Sequence, residues 1–381
     1  MTPKLARFVD AQFSGARACA TPALVFDLDR MRENYAALRA SLPSAHIYYA
    51  VKANPAAPVL DLLTQLGSRF DAASIAEVRQ CLAAGAAPSA ISFGNTVKKA
   101  AAIAEAHDAG VDLFAFDSRA ELEKIAAAAP GARVFCRLAV SQEGADWPLS
   151  HKFGTDAPTA VALLVEAEQR GLVPYGVSFH VGSQQTGVGA YCNAIGAASL
   201  VFTDLRSQGI DLSMLNIGGG FPVRYREDIP TLGAFGMAIT EALRANFGNH
   251  WPKLIIEPGR ALVADAGVMV SEVVLTCPRP TDQQRRWVYL DIGRFGGLAE
   301  TEAEAIRYRI TAPGVTGAPE PAVLAGPSCD GVDVLYRETA CPLPADLAAG
   351  DYVLIHDTGA YVTSYASQGF NGFAPPEEHY L

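Results

Sequence analysis

The sequence contains no Cys-x-x-Cys pair. Its seven cysteines are scattered singly: Cys19, Cys81, Cys136, Cys192, Cys277, Cys329 and Cys341. An odd number without pairing disfavours both a disulfide framework and a zinc site. We therefore expect a protein of the reducing cytoplasm with no structural metal.

Long hydrophobic runs are also missing. Hydrophobic residues make up 50% of the chain, but they are spread out, and no apolar stretch is long enough to cross a bilayer. The first residues, Met1 to Leu5, form no continuous apolar segment, so we expect no secretory signal. The composition predicts a soluble protein without a membrane partner.

Basic residues are scarce relative to acidic ones. The chain carries 30 Lys and Arg against 40 Asp and Glu, a formal net charge of −10. Because the basic residues form no stripe, we expect no nucleic-acid partner. The acidic balance fits a cationic substrate and ordinary solubility equally well.

Short apolar runs alternate with Ala-rich segments of helical periodicity over most of the chain. The eight runs are 47–51, 68–70, 90–93, 113–116, 134–140, 175–181, 214–217 and 254–256, and the seven helical segments are 58–66, 75–84, 98–109, 120–129, 157–170, 190–208 and 232–247. This alternation is the period of an α/β fold of the (β/α)8 TIM barrel type. A doubly wound sheet alternates in the same way, so the count of strands leaves both architectures open.

After about residue 266 the pattern changes to β-rich segments separated by Pro and Gly. We predict a second, all-β domain, and the segment 23–27 is a candidate for a further strand of it. The predicted domains are a barrel over residues 28–266 and a β domain over residues 267–381 together with 1–27.

Polar residues and glycines follow the predicted barrel strands. They are Lys52, Asp71, Asn95, Asp117, His180, Gly182, Ser183, the run Gly218–Gly219–Gly220, Glu257 and Arg260, while Arg137 lies within its run. All strands of a parallel barrel end at one face, so we expect these residues to meet in one site. For Asn95 and Asp117, ordinary turn chemistry is a sufficient explanation.

Lys52 closes the aromatic and aliphatic run 47–51. An amine in such a setting is costly to keep charged, and it then becomes a usable nucleophile toward a carbonyl. The alternative is a lysine at a strand end that extends into solvent.

Three further features fit an anionic aromatic cofactor. Backbone N–H groups of the glycine run can approach a phosphate, and Arg260 follows the eighth strand, where barrels commonly bind phosphate. Glu257 would repel a phosphate, but a carboxylate that faces a pyridinium nitrogen keeps that nitrogen protonated. His180 could stack on such a ring, although a lone histidine is more often part of the core. With Lys52, these residues predict pyridoxal phosphate.

Segments along nearly the whole chain resemble the fold type III pyridoxal-phosphate decarboxylases, a group that contains ornithine, lysine and diaminopimelate decarboxylases. The segments that carry this resemblance are 49–54, 178–183, 217–222 and 257–260. The segments 326–333, 359–361 and 370–373 narrow it to the ornithine decarboxylase branch, and 145–150 and 289–299 are similar to its short bacterial members.

The resemblance implies a role for each matching residue. Lys52 forms the Schiff base, Glu257 binds the pyridine nitrogen and His180 stacks on the ring. The cofactor-binding set is Lys52, Asp71, Glu77, Arg137, His180, Ser183, Gly218, Gly219, Gly220, Glu257, Gly259, Arg260 and Tyr361. The catalytic set is Lys52, His180, Glu257 and Cys329.

The resemblance also implies a homodimer with shared active sites. Cys329, as proton donor, and Asp330 would come from the partner subunit, and Lys152 would pair with Asp333 of the partner subunit. The implied substrate-binding residues are Asp291, Cys329, Asp330 and Phe370. Asp291 is equally well explained as a turn residue before Gly293.

A carboxylate at Asp330 suits a terminal ammonium, so the expected reaction is the decarboxylation of a basic diamino acid, first of all L-ornithine to putrescine in polyamine biosynthesis. One methylene separates ornithine from lysine and is worth only about 1–3 kcal/mol in a pocket, so a dual lysine/ornithine enzyme stays open. A modified ornithine also stays open. Diaminopimelate decarboxylases differ here, with Glu after the Cys.

Three other classes compete with this interpretation. Alanine racemases share the barrel and the lysine but need a tyrosine base, and the segment 326–333 holds no such motif. A class I aldolase would leave the segment 257–260 unexplained. A non-catalytic regulatory homologue is disfavoured because Lys52, Cys329, Asp330 and Tyr361 are all present.

Overall fold

The structure is a computed structural model that describes residues 1–13, 19–147 and 152–381. Along the chain, the strands are β1 Ala23–Phe26, β2 Ala45–Ala50, β3 Arg69–Ala72, β4 Ile91–Phe93, β5 Leu113–Phe116, β6 Arg133–Arg137, β7 Ala145–Trp147, β8 Val173–Ser178, β9 Ser183–Gln185, β10 Met214–Asn216, β11 Lys253–Ile256, β12 Gly267–Arg279, β13 Arg285–Leu290, β14 Ile310–Thr311, β15 Pro319–Ala325, β16 Val334–Pro344, β17 Tyr352–His356 and β18 Glu377–Tyr380. The helices are α1 Pro3–Gln12, α2 Leu28–Ser41, α3 Ala57–Gln65, α4 Ile75–Ala83, α5 Ala100–Asp108, α6 Arg119–Ala128, α7 Ala157–Gln169, α8 Val188–Ser207, α9 Leu232–Phe247 and α10 Arg260–Val263.

Eight strands close into a parallel barrel. Their order is β2, β3, β4, β5, β6, β8, β10 and β11, and β11 pairs with β2. Every neighbouring pair is parallel. Its interior is filled by buried side chains from alternating strand positions, which include Tyr48, Leu113, Phe135, Met214 and Ile255. The predicted TIM barrel is confirmed, and an open doubly wound sheet is excluded because the barrel has no edge strands.

Two barrel strands end three residues earlier than their apolar runs predicted. β6 stops at Arg137, because Ala139 N–H donates to Thr155 O (2.9 Å) and leaves the barrel ladder. β8 stops at Ser178, shortly before Gly182 takes a positive φ of 93°. Arg137 therefore ends its strand instead of lying inside it, and His180 lies two residues beyond the end of β8.

Helices α4 and α6 begin with the same Ser-x-x-Glu capping sequence. Ser74 Oγ accepts from Glu77 N–H (3.3 Å), and Ser118 Oγ accepts from Glu121 N–H (3.4 Å). Such caps typically contribute about 1 kcal/mol of stability. They also place one carboxylate in the first turn of each helix, close to the carboxyl ends of the barrel strands.

By length and composition alone, helix α8 could cross a membrane. Of the 18-residue stretch that meets this criterion, 39% is buried inside the protein. The helix belongs to the barrel, where its Tyr191 ring meets Phe235 of α9 edge-on at 5.8 Å. A packed barrel helix passes the same test of length and composition, so this helix alone does not indicate a membrane span.

The strands outside the barrel form an eight-stranded sheet and a separate two-stranded sheet. The sheet order is β14, β17, β12, β13, β15 and β16, and β1 joins it by pairing with β12 and β18. The predicted strand at 23–27 is therefore present, with Ala23 opposite Val270. The antiparallel pair of β7 and β9 was not predicted. Helix α1 was also missed, although Thr2 caps it and Pro3 opens it.

The chain forms two compact units. Residues 1–33, 223–228 and 260–381 make up the β unit, and residues 34–222 and 229–259 make up the barrel unit. The core of the β unit is built from sheet side chains such as Val288, Leu324 and Ile355. The domain boundaries proposed from the sequence, 28–266 for the barrel and 267–381 with 1–27 for the β domain, stay a prediction.

Candidate active site

Lys52 lies directly beyond the end of β2, in a 3-10 helix of one turn, Val51–Ala53. The residues on either side of it in the chain are buried, whereas its own side chain is exposed. Ala50 N–H donates to Pro258 O (3.1 Å), so the loop after β11 braces the turn from the next strand. The local sequence thus holds an amine at the carboxyl end of the barrel, as predicted.

Asp71 is a partly exposed residue of β3 whose carboxyl group interacts with the charge of Lys52. Burial raises the pKa of Asp71 well above its usual value and the charge of Glu257 raises it further, while Lys52 acts in the opposite direction. Asp71 Oδ1 is fully enclosed, and among the described residues no group donates a hydrogen bond to it. A carboxyl group in this condition is suited to receive a donor from a bound molecule.

Glu77 lies in the first turn of α4, and the charge of Lys52 also acts on its pKa. Its Oε2 accepts from Ala73 N–H (2.6 Å), which fixes the carboxylate over the start of the helix. Burial raises the pKa of Glu77, and the Ala73 bond and the Lys52 charge act in the opposite direction.

His180 is held as a neutral imidazole. Its Nδ1 accepts from Gly182 N–H (3.0 Å), so the ring proton is on Nε2. Burial lowers the pKa of His180 well below its usual value, and the charges of Arg137 and Lys52 lower it further. The ring is therefore uncharged and fixed in orientation at neutral pH.

Glu257 follows β11 and is oriented by a residue that sequence reasoning missed. Asn216, at the end of β10, donates through Nδ2 to Glu257 Oε1 and accepts at Oδ1 from Gly218 N–H (2.9 Å). Burial raises the pKa of Glu257, while the Asn216 bond and the charges of Arg137 and Lys52 lower it. The available signal was a buried amide at the end of an apolar strand, two residues before the first glycine of the run.

The glycine run after β10 fits only without side chains. A Cβ on Gly218, Gly219 or Gly220 would overlap a backbone carbonyl oxygen of a neighbouring segment, and two of the three have positive φ angles of 69° and 97°. Tyr191 Oη donates to Gly219 O (2.8 Å) and fixes the loop. The result is a rigid strip of bare backbone that a ligand can approach closely.

Arg137 and Ser183 are two further residues of the barrel unit that the sequence predicts for the cofactor site. Burial lowers the pKa of Arg137, whose guanidinium lies 4.9 Å from the centre of the Phe153 ring. Ser183 begins β9 opposite Trp147 of β7. Lys152 is exposed, and its Nζ lies 5.1 Å from the same Phe153 ring centre. Residues 148–151 lie outside the described residues. They comprise the end of the family segment 145–150 and the adjoining His151.

In the β unit, Arg260 forms a buried ion pair that the sequence did not reveal. Its Nη1 and Nη2 donate to the two carboxylate oxygens of Glu300 (2.8 and 2.6 Å), and Nη1 also donates to Tyr225 Oη (2.8 Å). The guanidinium lies 5.0 Å from the ring centre of Tyr361, which adopts a positive φ of 55°. Gly259, buried just before Arg260, ends the barrel unit.

Cys329 and Asp330 lie on an exposed turn that Asp333 organises. The buried Asp333 accepts from Arg294 N–H (2.8 Å) and Ser328 N–H (3.1 Å). Cys329 N–H donates to Asn371 Oδ1 (3.0 Å), while the Cys329 side chain is exposed. The turn therefore presents a thiol and a carboxylate on the surface of this unit.

Asp291 and Phe370 line one cavity of the β unit, together with Ser328 and Asp333. Asp291 accepts from Ser271 Oγ (2.6 Å) and Glu272 N–H (3.1 Å), and burial raises its pKa. These bonds attach the chain after β13 to β12 through Asp291. Contact of Asp291 with substrate stays a prediction. Phe370 packs on a second aromatic ring of the same cavity, with ring centres 4.4 Å apart.

No group of three or more His, Cys, Asp or Glu side chains within residues 1–13, 19–147 and 152–381 is arranged to hold a metal ion.

Comparison with known proteins identifies the family. The model of the pyridoxal binding domain of pyridoxal-dependent decarboxylases matches residues 28–264. The chain belongs to this family. The lysine/ornithine decarboxylase of Selenomonas ruminantium is 38% identical over 360 residues, which are 94% of this chain and 89% of that protein.

Solved structures of decarboxylases share the whole fold. Lysine decarboxylase from Selenomonas ruminantium superposes with a TM-score of 0.87 at 34% identity, covering 100% of this chain and 96% of that one. Lysine/ornithine decarboxylase from Vibrio vulnificus, complexed with putrescine, gives a TM-score of 0.87 at 31% identity and covers 99% and 97% of the two chains. The protein is a pyridoxal-phosphate-dependent decarboxylase of basic amino acids, as its sequence predicted.

The residues in the barrel unit fit pyridoxal phosphate. An amine at Lys52, a fixed carboxylate at Glu257 and the glycine strip supply the three kinds of group that the aldehyde, the ring nitrogen and the phosphate require. The enclosed Asp71 Oδ1, to which no described residue donates, is a further acceptor beside the amine.

Proposed function

We propose that this decarboxylase converts L-ornithine to putrescine and CO2 in the cytoplasm, as a step of polyamine biosynthesis. The observation that carries the substrate assignment is the Cys329–Asp330 turn, which presents an exposed carboxylate suited to a terminal ammonium. A dual lysine/ornithine activity is the second candidate, because the relative at 38% identity carries both names.

Bound pyridoxal phosphate supplies an electron sink for the electron pair that remains when the α-carboxylate leaves as CO2. In our proposal Lys52 holds its aldehyde carbon, and Glu257, fixed by Asn216, keeps the proton on its ring nitrogen. The neutral His180 ring supports one ring face. Phosphate binding is assigned to Ser183, Gly218, Gly219, Gly220, Gly259, Arg260 and Tyr361, and support of the lysine and ring to Asp71, Glu77 and Arg137.

We assign Cys329 of the partner subunit as the group that returns a proton to Cα of the substrate. Its side chain is exposed, and its backbone is fixed by Asn371, so a second copy of the chain can use it. Asp330, Asp291 and Phe370 form the proposed substrate-binding group. The proposal thus requires a homodimer with shared sites. A cross-subunit pair between Lys152 and the partner subunit's Asp333 belongs to the same proposal.

Mixing two inactive variants tests the shared site. Lys52→Ala and Cys329→Ala are expected to be nearly inactive alone, because each lacks one catalytic group. After subunit exchange, half of the dimers carry one intact site of two, so about a quarter of wild-type activity should return. Putrescine formation is measured before and after mixing, because Cys329 acts after CO2 has left, with two preparations of Lys52→Ala as the control mixture. A mixture that stays as inactive as this control contradicts the shared site.

A substrate panel tests the assignment to ornithine. Ornithine, lysine, diaminopimelate and arginine are incubated with the holoenzyme, and CO2 and the amine product are measured for each. We expect ornithine to give the highest kcat/KM. Comparable values for lysine support the dual enzyme instead, and no CO2 from any of the four overturns the proposed function.

Removal of the Asp330 carboxylate refines this assay. A charge-assisted contact is worth about 1.5–3 kcal/mol, so Asp330→Ala is expected to reduce kcat/KM for ornithine by about 10- to 100-fold. Asp10→Ala changes an exposed aspartate of α1 and serves as the matched control. Unchanged kcat/KM in Asp330→Ala would remove Asp330 from the substrate-binding group.

A further inference from the structure

A second lysine lies in the barrel unit close to the carboxyl ends of the strands, and the proposed function does not use it. Lys98 follows β4, and its side chain is completely buried, as is that of its ion-pair partner Glu121 (2.9 Å). Its Nζ also donates to Asn95 O (2.8 Å) and to Ala115 O of β5 (2.6 Å). A buried lysine is expensive to keep, so this arrangement calls for a reason.

Glu121 belongs to the first turn of α6, and its other carboxylate oxygen pairs with a second lysine. Lys124 Nζ lies 2.5 Å from Glu121 Oε2 and donates as well to Lys98 O. The three side chains tie the loop after β4 to β5 and to α6. Burial lowers the pKa of Lys98 to about 8, while the charges of Glu121 and Asp117 act in the opposite direction and that of Lys124 in the same one.

The anchored loop reaches the active-site carboxylates through Asn95. Asn95 Nδ2 donates to Ala73 O (3.2 Å), and Ala73 N–H donates to Glu77 Oε2 (2.6 Å). The path from Lys98 to Glu77 therefore consists of three hydrogen bonds joined through two residues, Asn95 and Ala73. Sequence reasoning assigned Asn95 to turn chemistry. That role is present in its bond from Val97 N–H (3.1 Å), but it is not the only one.

The same loop also sets the position of Asp71. Gly94 lies so close to this carboxylate that a Cβ on residue 94 would overlap Asp71 Oδ1. Gly94 N–H donates to Ala72 O (3.0 Å), which registers the loop against β3. Movement of the loop after β4 therefore displaces Asp71 as well as Glu77.

We propose that Lys98 and Glu121 form a positioning pair, which anchors the loop 94–98 and thereby holds the carboxylates of Asp71 and Glu77 in place around Lys52. The inference rests on the proposed role of Lys52. The pair does not touch the reacting atoms. It acts through Gly94 and Asn95 on two acidic groups that interact electrostatically with Lys52.

Lys98→Met tests the pair in the holoenzyme. Methionine has a similar length without the charge, and Lys124 remains to pair with Glu121. Because the substrate contacts are untouched, we expect kcat to fall by about 10- to 100-fold, the size typical of a misplaced active-site group, with KM almost unchanged. The pH at which the visible absorbance of the bound cofactor changes should also shift, since the carboxylates near Lys52 have moved.

A control ion pair lies at the amino end of β5, the strand whose Ala115 O accepts from Lys98 near the other end. Asp112, just before β5, pairs with Arg133 through two bonds (2.6 and 2.9 Å). Asp112→Asn should lower the melting temperature of the protein without changing kcat or the absorbance profile. If Lys98→Met does the same, the pair has only a structural role and the inference is wrong.

Asn95→Ala provides a test that does not disturb the buried ion pair. It removes the amide bond to Ala73 O and the turn bond from Val97 N–H, but it keeps the backbone carbonyl to which Lys98 donates, so it should fold even if Lys98→Met does not. We expect a fall in kcat and a shift of the absorbance profile in the same direction as for Lys98→Met. Wild-type kcat and an unshifted profile in Asn95→Ala overturn the inference. Failure of the proposed function would appear separately, as CO2 release that survives Lys52→Ala.

Discussion

Decarboxylation by Lys52→Ala is expected to be at least about 10⁴-fold slower than by the wild-type enzyme, because the change removes the covalent nucleophile and an acid–base group at once. The fold should survive, since the Lys52 side chain is exposed and the turn around it is held by backbone contacts such as Ala50 N–H to Pro258 O (3.1 Å). The loss is therefore expected in chemistry and not in stability.

Reductive trapping provides a measurement that is independent of turnover. Borohydride reduction should fix the cofactor to the wild-type chain and raise its mass by that of the reduced cofactor, with the label on Lys52. Lys52→Ala should gain no mass. Lys99→Ala, an exposed lysine that precedes α5, should be trapped like the wild type. Trapping at another lysine in the wild-type protein would contradict the role of Lys52.

Glu257→Gln should lower kcat by about 10²- to 10³-fold, the effect typical of losing one preorganised electrostatic group in a buried site. A neutral amide keeps the size of the side chain but cannot stabilise a protonated ring nitrogen. Because Asn216 fixes Glu257 Oε1, the amide should occupy the same place, and cofactor binding should weaken much less than kcat.

Cofactor titration and steady-state kinetics test this expectation together. Glu241→Gln, on the exposed face of α9, is the matched control and should behave as wild type. A Glu257→Gln variant with wild-type kcat would remove Glu257 from the catalytic set. If the cofactor no longer binds, Glu257 acts in binding and not in catalysis.

Some parts of the site were predictable because they depend on local chain order. Lys52 and Glu257 stand at the ends of apolar runs, and a parallel barrel brings all such ends to one face, so their association followed from the fold class alone. The glycine run was recognisable for a similar reason, because bare backbone in three successive residues is itself the feature that allows close approach.

Other parts were not predictable because they depend on partners that are distant in sequence. Asn216 orients Glu257 across 41 residues, and Glu300 pairs with Arg260 across 40. A buried amide can be noticed in the segment of Asn216, but neither local segment marks which distant residue is its partner. For Asp291, the sequence left a substrate contact and a turn role equally open, and the bond from Ser271 Oγ shows what the turn role consists of.

The amino-acid sequence by itself determined the alternation of strands and helices, the cofactor and the decarboxylase family, because each rests on periodicity or on contiguous motifs, whereas closure of the strands into a barrel was seen only in the structure. Only the tertiary structure decided how the groups are held: which nitrogen of His180 carries the proton, which amide fixes Glu257, and which buried lysine anchors the loop beside Asp71. The physical reason is that hydrogen bonds and ion pairs are formed in three dimensions, between side chains whose sequence separation carries no signal of their contact.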